Sequence, residues 1–278
     1  MNKEIVEKFI DLEKLLEQKE VTWLPKFVVS YLKRVIHQED VNEFIARNKN
    51  VYNEDFGEAA LDYIGIKSKI IGLENIPKEG GVILTANHPL GGMDAMALIS
   101  EIRSHRNNMR FIVNDILLNL TNLKDLFIGV NKHGKSSKES FNKVNELFAS
   151  DNAICIFPAG LVSRRKKGVV RDLPWKRTFI MKAIQHQTPV VPIFVSGELS
   201  NFFYNLSNFR SAIGIKANIE MLYLVDELFK QKGKNLTIIV GKPIDPKIFE
   251  DKSKNQFEWA AYVKEQVYLL SNQLKDVK

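Results

Sequence analysis

A single cysteine, Cys155, occurs among the 278 residues. Disulfide frameworks and cysteine-based zinc sites are therefore excluded, and we expect a reducing compartment, the cytoplasm. The first residues mix acidic and basic side chains and lack the continuous apolar stretch that a signal peptide needs. No apolar run approaches the roughly 20 residues of a transmembrane helix, because Asn, Lys or Asp interrupts each one. Any contact with a membrane is therefore predicted to be peripheral.

Several sequence patterns that mark common enzyme classes are also missing. The chain has no G-x-S-x-G nucleophile turn and no G-x-G-x-x-G dinucleotide fingerprint. Its five histidines show no paired spacing typical of zinc ligands, so no metal site is predicted. A net charge of +7 and a pI of about 9.2 suit an anionic membrane surface or an acidic protein. Nucleic-acid binding is not predicted, because no recognition motif accompanies the charge.

The apolar patterns divide the chain at residue 67. Residues 1–66 have apolar side chains at helical spacing without strand alternation, which predicts a helical region. Packing of this region on the main domain as a small bundle is favoured over a face that inserts into lipid, for which Val21–Phe27 is the best candidate. Residues 67–278 alternate short strands with helices and are predicted to form one α/β domain. Within it, residues 116–126 are predicted to be helical.

The α/β region is organised around a short apolar strand followed by a polar turn. The run Val82–Ala86 predicts a buried strand, and a helix-forming segment begins near Asp94. The turn contains His88, which is the side chain best suited to accept a proton near neutral pH, and Asp94 can hold its other ring nitrogen. Such a pair can deprotonate a hydroxyl that then attacks an acyl carbon. The alternative is a structural histidine and an aspartate that only caps the helix.

The sequence N-H-P-L-G-G-M-D, from Asn87 to Asp94, resembles the first motif of the glycerolipid acyltransferase superfamily. That motif usually separates His and Asp by four residues, whereas five intervene here. The longer spacing is similar to a bacterial branch that includes hemolysin-like acyltransferases and the O-acyltransferases of ornithine and glycine lipids. The resemblance implies a central mixed sheet flanked by helices, with catalytic His88 and Asp94. It also implies that Asn87, Gly91 and Gly92 contact the substrate.

The superfamily's second motif, a glycine and two apolar residues followed by any residue and Arg, corresponds to residues 127–134. The Arg, which is thought to contact the phosphate of the acceptor, is missing here. Lys132 lies nearby and can supply a positive charge, although as a flexible point charge rather than a bidentate fork. Lys132 is therefore a candidate substrate-binding residue, and a solvated loop is the alternative.

The superfamily's third motif, F-P-E-G-T-R-S, is similar to the sequence that begins at Phe157. Pro158, Gly160 and Ser163 match it, and the resemblance implies that they bind the substrate. Ala159 stands where phosphate-using relatives have a Glu that is associated with a glycerol acceptor. The altered form continues as G-V-x-D-x-x-W at residues 168–175, which is again similar to the aminolipid branch.

Basic residues follow the third motif directly. Arg164 and Arg165 come after a glycine turn and are predicted to bind a phosphate or a carboxylate. Lys166 and Lys167 extend the positive charge. This cluster can receive the acidic surface of an acyl carrier protein, or it can be an ordinary solvated face.

A later apolar segment, residues 188–195, resembles the superfamily's fourth motif, a strand with an internal proline. Because proline cannot donate to the ladder of a sheet, Pro192 predicts that this strand lies at an edge or contains a bulge. The strand can wall an apolar groove for an acyl chain, and core packing explains it equally well.

The residues and the resemblance together predict an acyltransferase. It would move a fatty acyl chain from acyl carrier protein or coenzyme A to the hydroxyl of a lysolipid. A lyso-aminolipid is preferred, because the second-motif Arg and the third-motif Glu are missing. His88 would act as the general base, without a covalent intermediate, a metal or a cofactor beyond the acyl thioester. A lysophosphatidic acid acceptor and a non-catalytic lipid-binding module are the alternatives. We expect peripheral contact with the inner face of the cell membrane.

Overall fold

The computed structural model describes residues 8–21, 23–129 and 137–277. Four helices precede the first strand, at Leu12–Gln18 (α1), Lys26–Val35 (α2), Gln38–Arg47 (α3) and Asn53–Ile64 (α4). Six more follow, at Gly92–Ile102 (α5), Ser137–Phe148 (α6), Thr178–His186 (α7), Asn201–Ala212 (α8), Leu224–Phe229 (α9) and Gln256–Leu269 (α10). None of these helices has the length and the apolarity needed to cross a bilayer.

Local sequence signals fix several helix ends. Helix α10 begins with a capping box, in which the Asn255 side chain accepts from the Glu258 N–H at 3.1 Å and the Asn255 N–H donates to the Glu258 carboxylate at 2.7 Å. Helix α4 ends at Gly65, whose φ of 78° is open to glycine at little steric cost. These signals set where α10 begins and where α4 ends.

Nine strands are present in the part of the chain that the structure describes. They are Lys67–Ile71 (β1), Val82–Ala86 (β2), Met109–Val113 (β3), Phe127–Gly129 (β4), Ala153–Ile156 (β5), Arg164–Lys166 (β6), Val169–Arg171 (β7), Val190–Val195 (β8) and Asn235–Val240 (β9). Strands β6 and β7 form a separate antiparallel hairpin, and the other seven form one sheet in the order β1-β9-β8-β2-β5-β3-β4.

The large sheet is mixed, as predicted. Strands β8, β2, β5, β3 and β4 are mutually parallel, whereas β9 is antiparallel to β8 and parallel to β1. Strand β2 is the fourth of the seven strands, between β8 and β5, and all five of its residues are buried. The carboxyl ends of β2, β5 and β8 therefore meet at one edge of the sheet, where open α/β sheets usually bind ligands.

Two apolar cores cover the two faces of the sheet. Val82, Leu84 and Ala86 of β2 belong to one core, and Ile83 belongs to the other, because successive side chains of a strand point to opposite faces. The first core includes α4 and α5, and the second includes α6, α7 and α10. This coverage of both faces explains why β2 and β5 are continuous apolar runs.

Helix α4 shares the first core with the sheet. Phe56 and Leu61 are buried in this core, and Gly57 lets α4 approach α5 closely, because a Cβ at residue 57 would lie 3.0 Å from Ile99 Cγ2. The last of the four N-terminal helices therefore packs against the α/β region. The domain boundary at residue 66 stays a prediction.

One local prediction is wrong, and for another only one of its two alternatives fits the structure. Residues 116–126 do not form an α-helix but two short 3-10 helices, Asp115–Asn119 and Thr121–Leu123. The buried Asn122 amide interrupts the segment, because it donates to the carbonyls of Asn48 and Val51 at 2.9 and 2.7 Å. Pro192 lies in an interior strand, β8, rather than at an edge, and the predicted alternative, a bulge, fits, because the antiparallel pairing shifts by one residue between Ile193–Val240 and Val190–Ile244.

Glycine makes the interior position of Pro192 possible. The N–H of Gly241, just after β9, donates to the Pro192 carbonyl at 2.8 Å. A Cβ on Gly241 would lie 2.8 Å from Cγ of Pro192, which is closer than real Cβ contacts allow. Because Gly241 has no side chain, the proline ring can lie against the backbone of residue 241.

Candidate active site

The turn between β2 and α5 is anchored to the sheet by Asn87. The Asn87 side-chain amide donates to the Val195 carbonyl at 2.8 Å, and its oxygen accepts from the Val195 N–H at 2.7 Å. The buried side chain thus continues the ladder between β2 and β8 beyond the last paired residue. Asn87 is therefore bound within the fold and fixes the starting point of the turn.

His88 and Asp94 contact each other across this turn. Nδ1 of His88 lies 2.9 Å from Oδ2 of Asp94, and the Asp94 carboxylate also accepts from the Leu90 N–H. Asp94 has no exposed surface, whereas the His88 side chain is 19% exposed. An ionised carboxylate only accepts, so Nδ1 carries the ring proton and Nε2 is the basic nitrogen. Within the described residues, Nε2 has no hydrogen-bond partner, and the ring stacks on Phe157 at 4.1 Å.

The burial of Asp94 sets its electrostatics. Loss of solvent raises the pKa of the Asp94 carboxyl, and this outweighs the hydrogen bond and the charge of His88 and the hydrogen bond from the Leu90 N–H, which lower it. A nearby carboxylate, Asp172, raises the pKa of Asp94 further. The hydrogen bonds that Asp94 accepts from His88 and from the Leu90 N–H thus offset only part of the cost of burying its carboxylate.

Gly91 and Gly92 form the tight part of the turn. Gly91 has φ 72° and ψ −132°, a backbone conformation that only glycine adopts readily, and a Cβ there would lie 3.1 Å from Leu224. Gly92 is exposed and begins α5. The two glycines allow α5 to begin close enough to His88 for Asp94, in the first turn of the helix, to reach the imidazole ring.

The predicted third motif lies against the first. After β5, the Pro158 carbonyl accepts from the Lys176 N–H at 3.1 Å, and Gly160, at φ 69°, completes the turn. The Ser163 N–H then donates to the His88 carbonyl at 2.8 Å. The structure therefore brings Ser163 to the His88 turn, while Pro158 and Gly160 shape the loop that leads to it.

A buried carboxylate, Asp172, joins the two motifs. Its Oδ1 accepts from the Ser163 hydroxyl at 2.6 Å and from the His88 N–H at 3.2 Å, and its Oδ2 accepts from Trp175 Nε1 at 2.8 Å. The Asp172 N–H donates to the Tyr268 hydroxyl at 2.7 Å. The sequence signal for this junction is the match of Asp172 and Trp175 to the G-V-x-D-x-x-W pattern. The pattern by itself predicts no role for either residue.

Arg164 and Arg165 are held by protein groups. Arg164 is 6% exposed, and its Nη2 donates to the fully buried Glu220 at 2.7 Å. Arg165 donates to the side chains of Asn201 and Asn205 on α8, at 2.5 and 2.8 Å. Both guanidinium groups therefore join the β6–β7 hairpin to the region around α8. The structure does not place either of them against His88, and no sequence signal indicated Glu220.

Of the other predicted site residues, Lys132 lies outside the described residues. The site that can be described thus consists of Asn87, His88 and Asp94 from the first motif and Ser163 from the third. Asp172 connects them.

A groove with a volume of about 490 Å³ begins beside His88. Asn87 and Pro89, the two neighbours of His88 in the chain, line it together with Ser163. From there it extends along apolar and polar side chains of β7, the end of β8 and the C-terminal segment, including Val169, Arg171, Phe194, Tyr268, Leu269 and Leu274. Its volume lies within the roughly 300–1,000 Å³ typical of small-molecule sites, and its mixed lining suits an amphiphile.

Comparisons with known proteins give a consistent result. A family model described as acyltransferase matches residues 15–277. A lyso-glycine lipid O-acyltransferase of Bacteroides thetaiotaomicron is 46% identical over 265 residues, which cover 94% of this chain and 97% of the relative. A protein of the same name from Phocaeicola vulgatus is also 46% identical, over 94% of this chain and 95% of its own length.

More distant similarities agree with the fold. A 1-acyl-sn-glycerol-3-phosphate acyltransferase of Borreliella burgdorferi is 27% identical over 191 residues, 66% of this chain and 72% of the relative. The crystal structure of the 1-acyl-sn-glycerophosphate acyltransferase PlsC of Thermotoga maritima superposes with a TM-score of 0.51 at 18% identity, covering 96% of this chain and 90% of that one. The last similarity concerns the fold alone.

Proposed function

This chain belongs to the acyltransferase family. We propose that it transfers a fatty acyl chain from an acyl thioester to the hydroxyl of a lyso-aminolipid. The observation that carries the proposal is the 2.9 Å contact of His88 with Asp94 at the carboxyl end of a central parallel strand. The thioester of acyl carrier protein or coenzyme A is a co-substrate, and the proposed reaction uses no further cofactor.

In the proposed reaction, Nε2 of His88 accepts the proton of the acceptor hydroxyl while the oxygen attacks the thioester carbon. Asp94 holds the Nδ1 proton and stabilises the imidazolium. The C–S bond then breaks, and the proton passes from His88 to the leaving thiolate, so that an ester and a free thiol are formed. The N–H groups of Gly92 and Met93, the first two of α5, precede the first hydrogen bond of the helix, from the Asp94 N–H to the Gly91 carbonyl, and are candidates to stabilise the oxyanion.

The choice of an aminolipid acceptor is supported by the third motif and by the relatives. A buried Ala159 stands where relatives that use glycerol phosphate have Glu. The two relatives at 46% identity, which match almost the whole chain, are named for lyso-glycine lipid. A lysophosphatidic acid acceptor is the alternative, because the relative at 27% identity is named for that type of reaction.

The proposed donor site includes the tip of the β6–β7 hairpin. Lys166 and Lys167 are exposed there, and Gly168, at φ 80°, makes the turn between the strands. Two adjacent ammonium groups on a projecting hairpin suit the acidic surface of an acyl carrier protein. They also suit the phosphates of coenzyme A, so the donor is decided by the experiment below.

The proposed membrane contact is peripheral and lies at the beginning of α2, as part of a cytoplasmic location at the inner face. Trp23 and Phe27 are each 76% exposed and lie four residues apart, with Lys26 beside Phe27. Aromatic rings next to a basic side chain suit the headgroup zone of a bilayer. This arrangement supports Val21–Phe27 as the candidate for membrane contact, which the sequence offered as the alternative to packing of the region as a bundle.

Transfer by the purified protein tests the proposal. Acyl carrier protein or coenzyme A that carries a labelled acyl chain is supplied together with lyso-glycine lipid, lyso-ornithine lipid or lysophosphatidic acid. The assay is run for the wild type and for His88→Ala. We expect ester formation with a lyso-aminolipid and a rate in His88→Ala that is lower by a factor of about 10²–10⁴, which is the typical contribution of a general base.

His105→Gln is the matched control, because His105 only donates from Nε2 to the Ile76 carbonyl at 2.7 Å and glutamine can do the same. Circular dichroism is used to check that each variant is folded. Transfer confined to lysophosphatidic acid would contradict the proposed acceptor. An active His88→Ala protein would contradict the mechanism, and absence of transfer to all three lipids would leave the lipid-binding module as the better interpretation.

A further inference from the structure

Arg171 lies at the junction of two cavities. It lines the 490 Å³ groove that begins beside His88, and it also lines a second cavity of about 260 Å³ under the β6–β7 hairpin. Val169 is the other residue shared by both. Arg171 is the last residue of β7 and directly precedes Asp172, which contacts the His88 turn. A cation therefore lines the same groove as Asn87 and Pro89, the two neighbours of the proposed general base.

The Arg171 guanidinium is oriented by its surroundings but is only partly paired. Its Cζ lies 4.2 Å from the centre of the Tyr268 ring, and its Nη2 donates to Glu265 at 2.8 Å. Its Nε is buried and has no hydrogen-bond partner within the described residues. Buried N–H groups are nearly always paired in proteins, so an unpaired one beside two cavities indicates an acceptor that the protein itself does not supply.

Glu265 does not remove the capacity of Arg171 to bind an anion. The Glu265 side chain is 56% exposed, and an ion pair with so exposed a partner contributes little to stability. A ligand carboxylate that displaces it can accept from Nη2 and Nε at the same time, which is the bidentate geometry that arginine favours.

Two lysines add positive charge near Arg171. Lys166 lines the second cavity. Lys264 donates to the carbonyl oxygens of Asp172 and Leu173 at 2.6 and 3.2 Å, so these two bonds leave its charge unneutralised. Burial lowers the pKa of Lys264 most, and the charges of Arg171 and Lys166 lower it further, while Asp172 and Glu265 act in the opposite direction, so the three cations share one electrostatic environment with two carboxylates. Such a cluster favours an anionic ligand.

We propose that Arg171 binds the carboxylate of the acceptor lipid and thereby selects aminolipids that keep a free carboxylate. This inference rests on the proposed function and names the group that the same site recognises. An amino acid linked to a fatty acyl chain through its nitrogen retains its carboxylate, and the groove places that anion at Arg171 with the lipid hydroxyl toward His88. Arg171 is thus a specificity-determining residue and takes no part in proton transfer.

The experiment compares a lyso-glycine lipid that has a free carboxylate with its methyl ester. Binding of both lipids is measured without donor, and transfer kinetics are measured with donor, for the wild type and for Arg171→Gln, Arg171→Lys and Glu265→Gln. We expect Arg171→Gln to weaken binding of the acid, and to raise its KM, by about tenfold to a hundredfold, as for a lost charge-assisted bond. The ester is expected to bind equally to wild type and variant.

Arg171→Lys keeps the charge but loses the fork, and it is expected to recover only part of the affinity. Glu265→Gln removes the competing carboxylate and is expected to bind the acid more tightly. If Arg171 only joined the hairpin to α10, Glu265→Gln would instead weaken binding as Arg171→Gln does. Arg47→Gln is the matched control, because Arg47 forms an exposed pair with Glu43 on α3, and it is expected to leave both lipids unaffected.

The outcomes separate this inference from the proposed function. A higher KM for the donor, with unchanged acceptor binding, would overturn the inference and assign Arg171 to a phosphate of the donor. Equal binding of acid and ester by the wild type would also overturn it. Selective binding of the acid without any transfer would support the anion site and contradict the proposed chemistry.

Discussion

Replacement of Asp172 by Asn tests whether this carboxylate holds the two motifs together. In the wild type, its two oxygens accept three hydrogen bonds, from the Ser163 hydroxyl, the His88 N–H and the Trp175 indole. The amide side chain that Asp172→Asn introduces has one oxygen and one amino group. Whichever way the amide is turned, at least one buried donor then faces another donor.

The expected loss of stability follows from the number of buried donors that are left without an acceptor. With its oxygen toward Ser163 and His88, the new amide would direct its N–H at Trp175 Nε1, which lies 2.8 Å from Oδ2 in the wild type. A buried donor without an acceptor costs about 1–3 kcal/mol, and both the amide and the indole would lose theirs. We therefore expect the free energy of unfolding to fall by about 2–4 kcal/mol, which places Asp172→Asn among the larger single-residue effects.

Urea unfolding followed by circular dichroism measures this change, provided that the m-values agree. The Trp175→Phe background provides the control, because it removes the opposing indole N–H. There, Asp172→Asn is expected to cost at least about 1 kcal/mol less than in the wild type, which is a coupling of the size seen between contacting residues. A cost below about 0.5 kcal/mol, or the same cost in both backgrounds, would refute the argument.

Four further results are expected. Asp94→Asn should lower kcat by a factor of roughly 100 or more with little change in KM, measured by the transfer assay, because the amide cannot stabilise an imidazolium at His88. Gly91→Ala should lower the free energy of unfolding by about 1–3 kcal/mol in urea, because φ is 72° at this position. Burial raises the pKa of Glu220, but its two arginine partners outweigh burial and bring it below the ordinary value of 4.5. The stability from this ion pair is therefore complete above about pH 4.5 and lost as the pH falls further, and Glu220→Gln should flatten that part of a thermal-unfolding pH profile. Burial raises the pKa of the Cys155 thiol, so a thiol reagent should label it only after unfolding.

The strands of the parallel sheet could be predicted because local composition decides them. Val82–Ala86 is buried on both faces, so every residue is apolar or small, and the predicted and observed bounds of β2 agree. Strand β4, of three residues, was not predicted, because so short a run has no readable period. For the segment that forms the β6–β7 hairpin, the sequence predicts only a basic cluster, because its charged side chains hide the apolar and polar alternation of a strand.

Some contacts of the candidate site could also be predicted from the local sequence, and others could not. His88 and Asp94 are six residues apart, so one turn between a strand and a helix sufficed to predict their contact. The partner of Arg164 is Glu220, 56 residues away, and nothing in either local sequence indicates the pairing. Arg164 could therefore be recognised as a cation near the third motif, but its burial required the folded chain.

Two side chains of α10 make the turn that contains His88 depend on the C-terminal part of the protein. Lys264 donates to the Asp172 carbonyl, and Tyr268, one turn later, accepts from the Asp172 N–H. Hydrogen exchange should therefore report α10 and residues 87–94 as one cooperative unit that opens together. Substitutions on the solvent face of α10 would then alter turnover through the population of this opened state, at temperatures where the sheet is still fully folded.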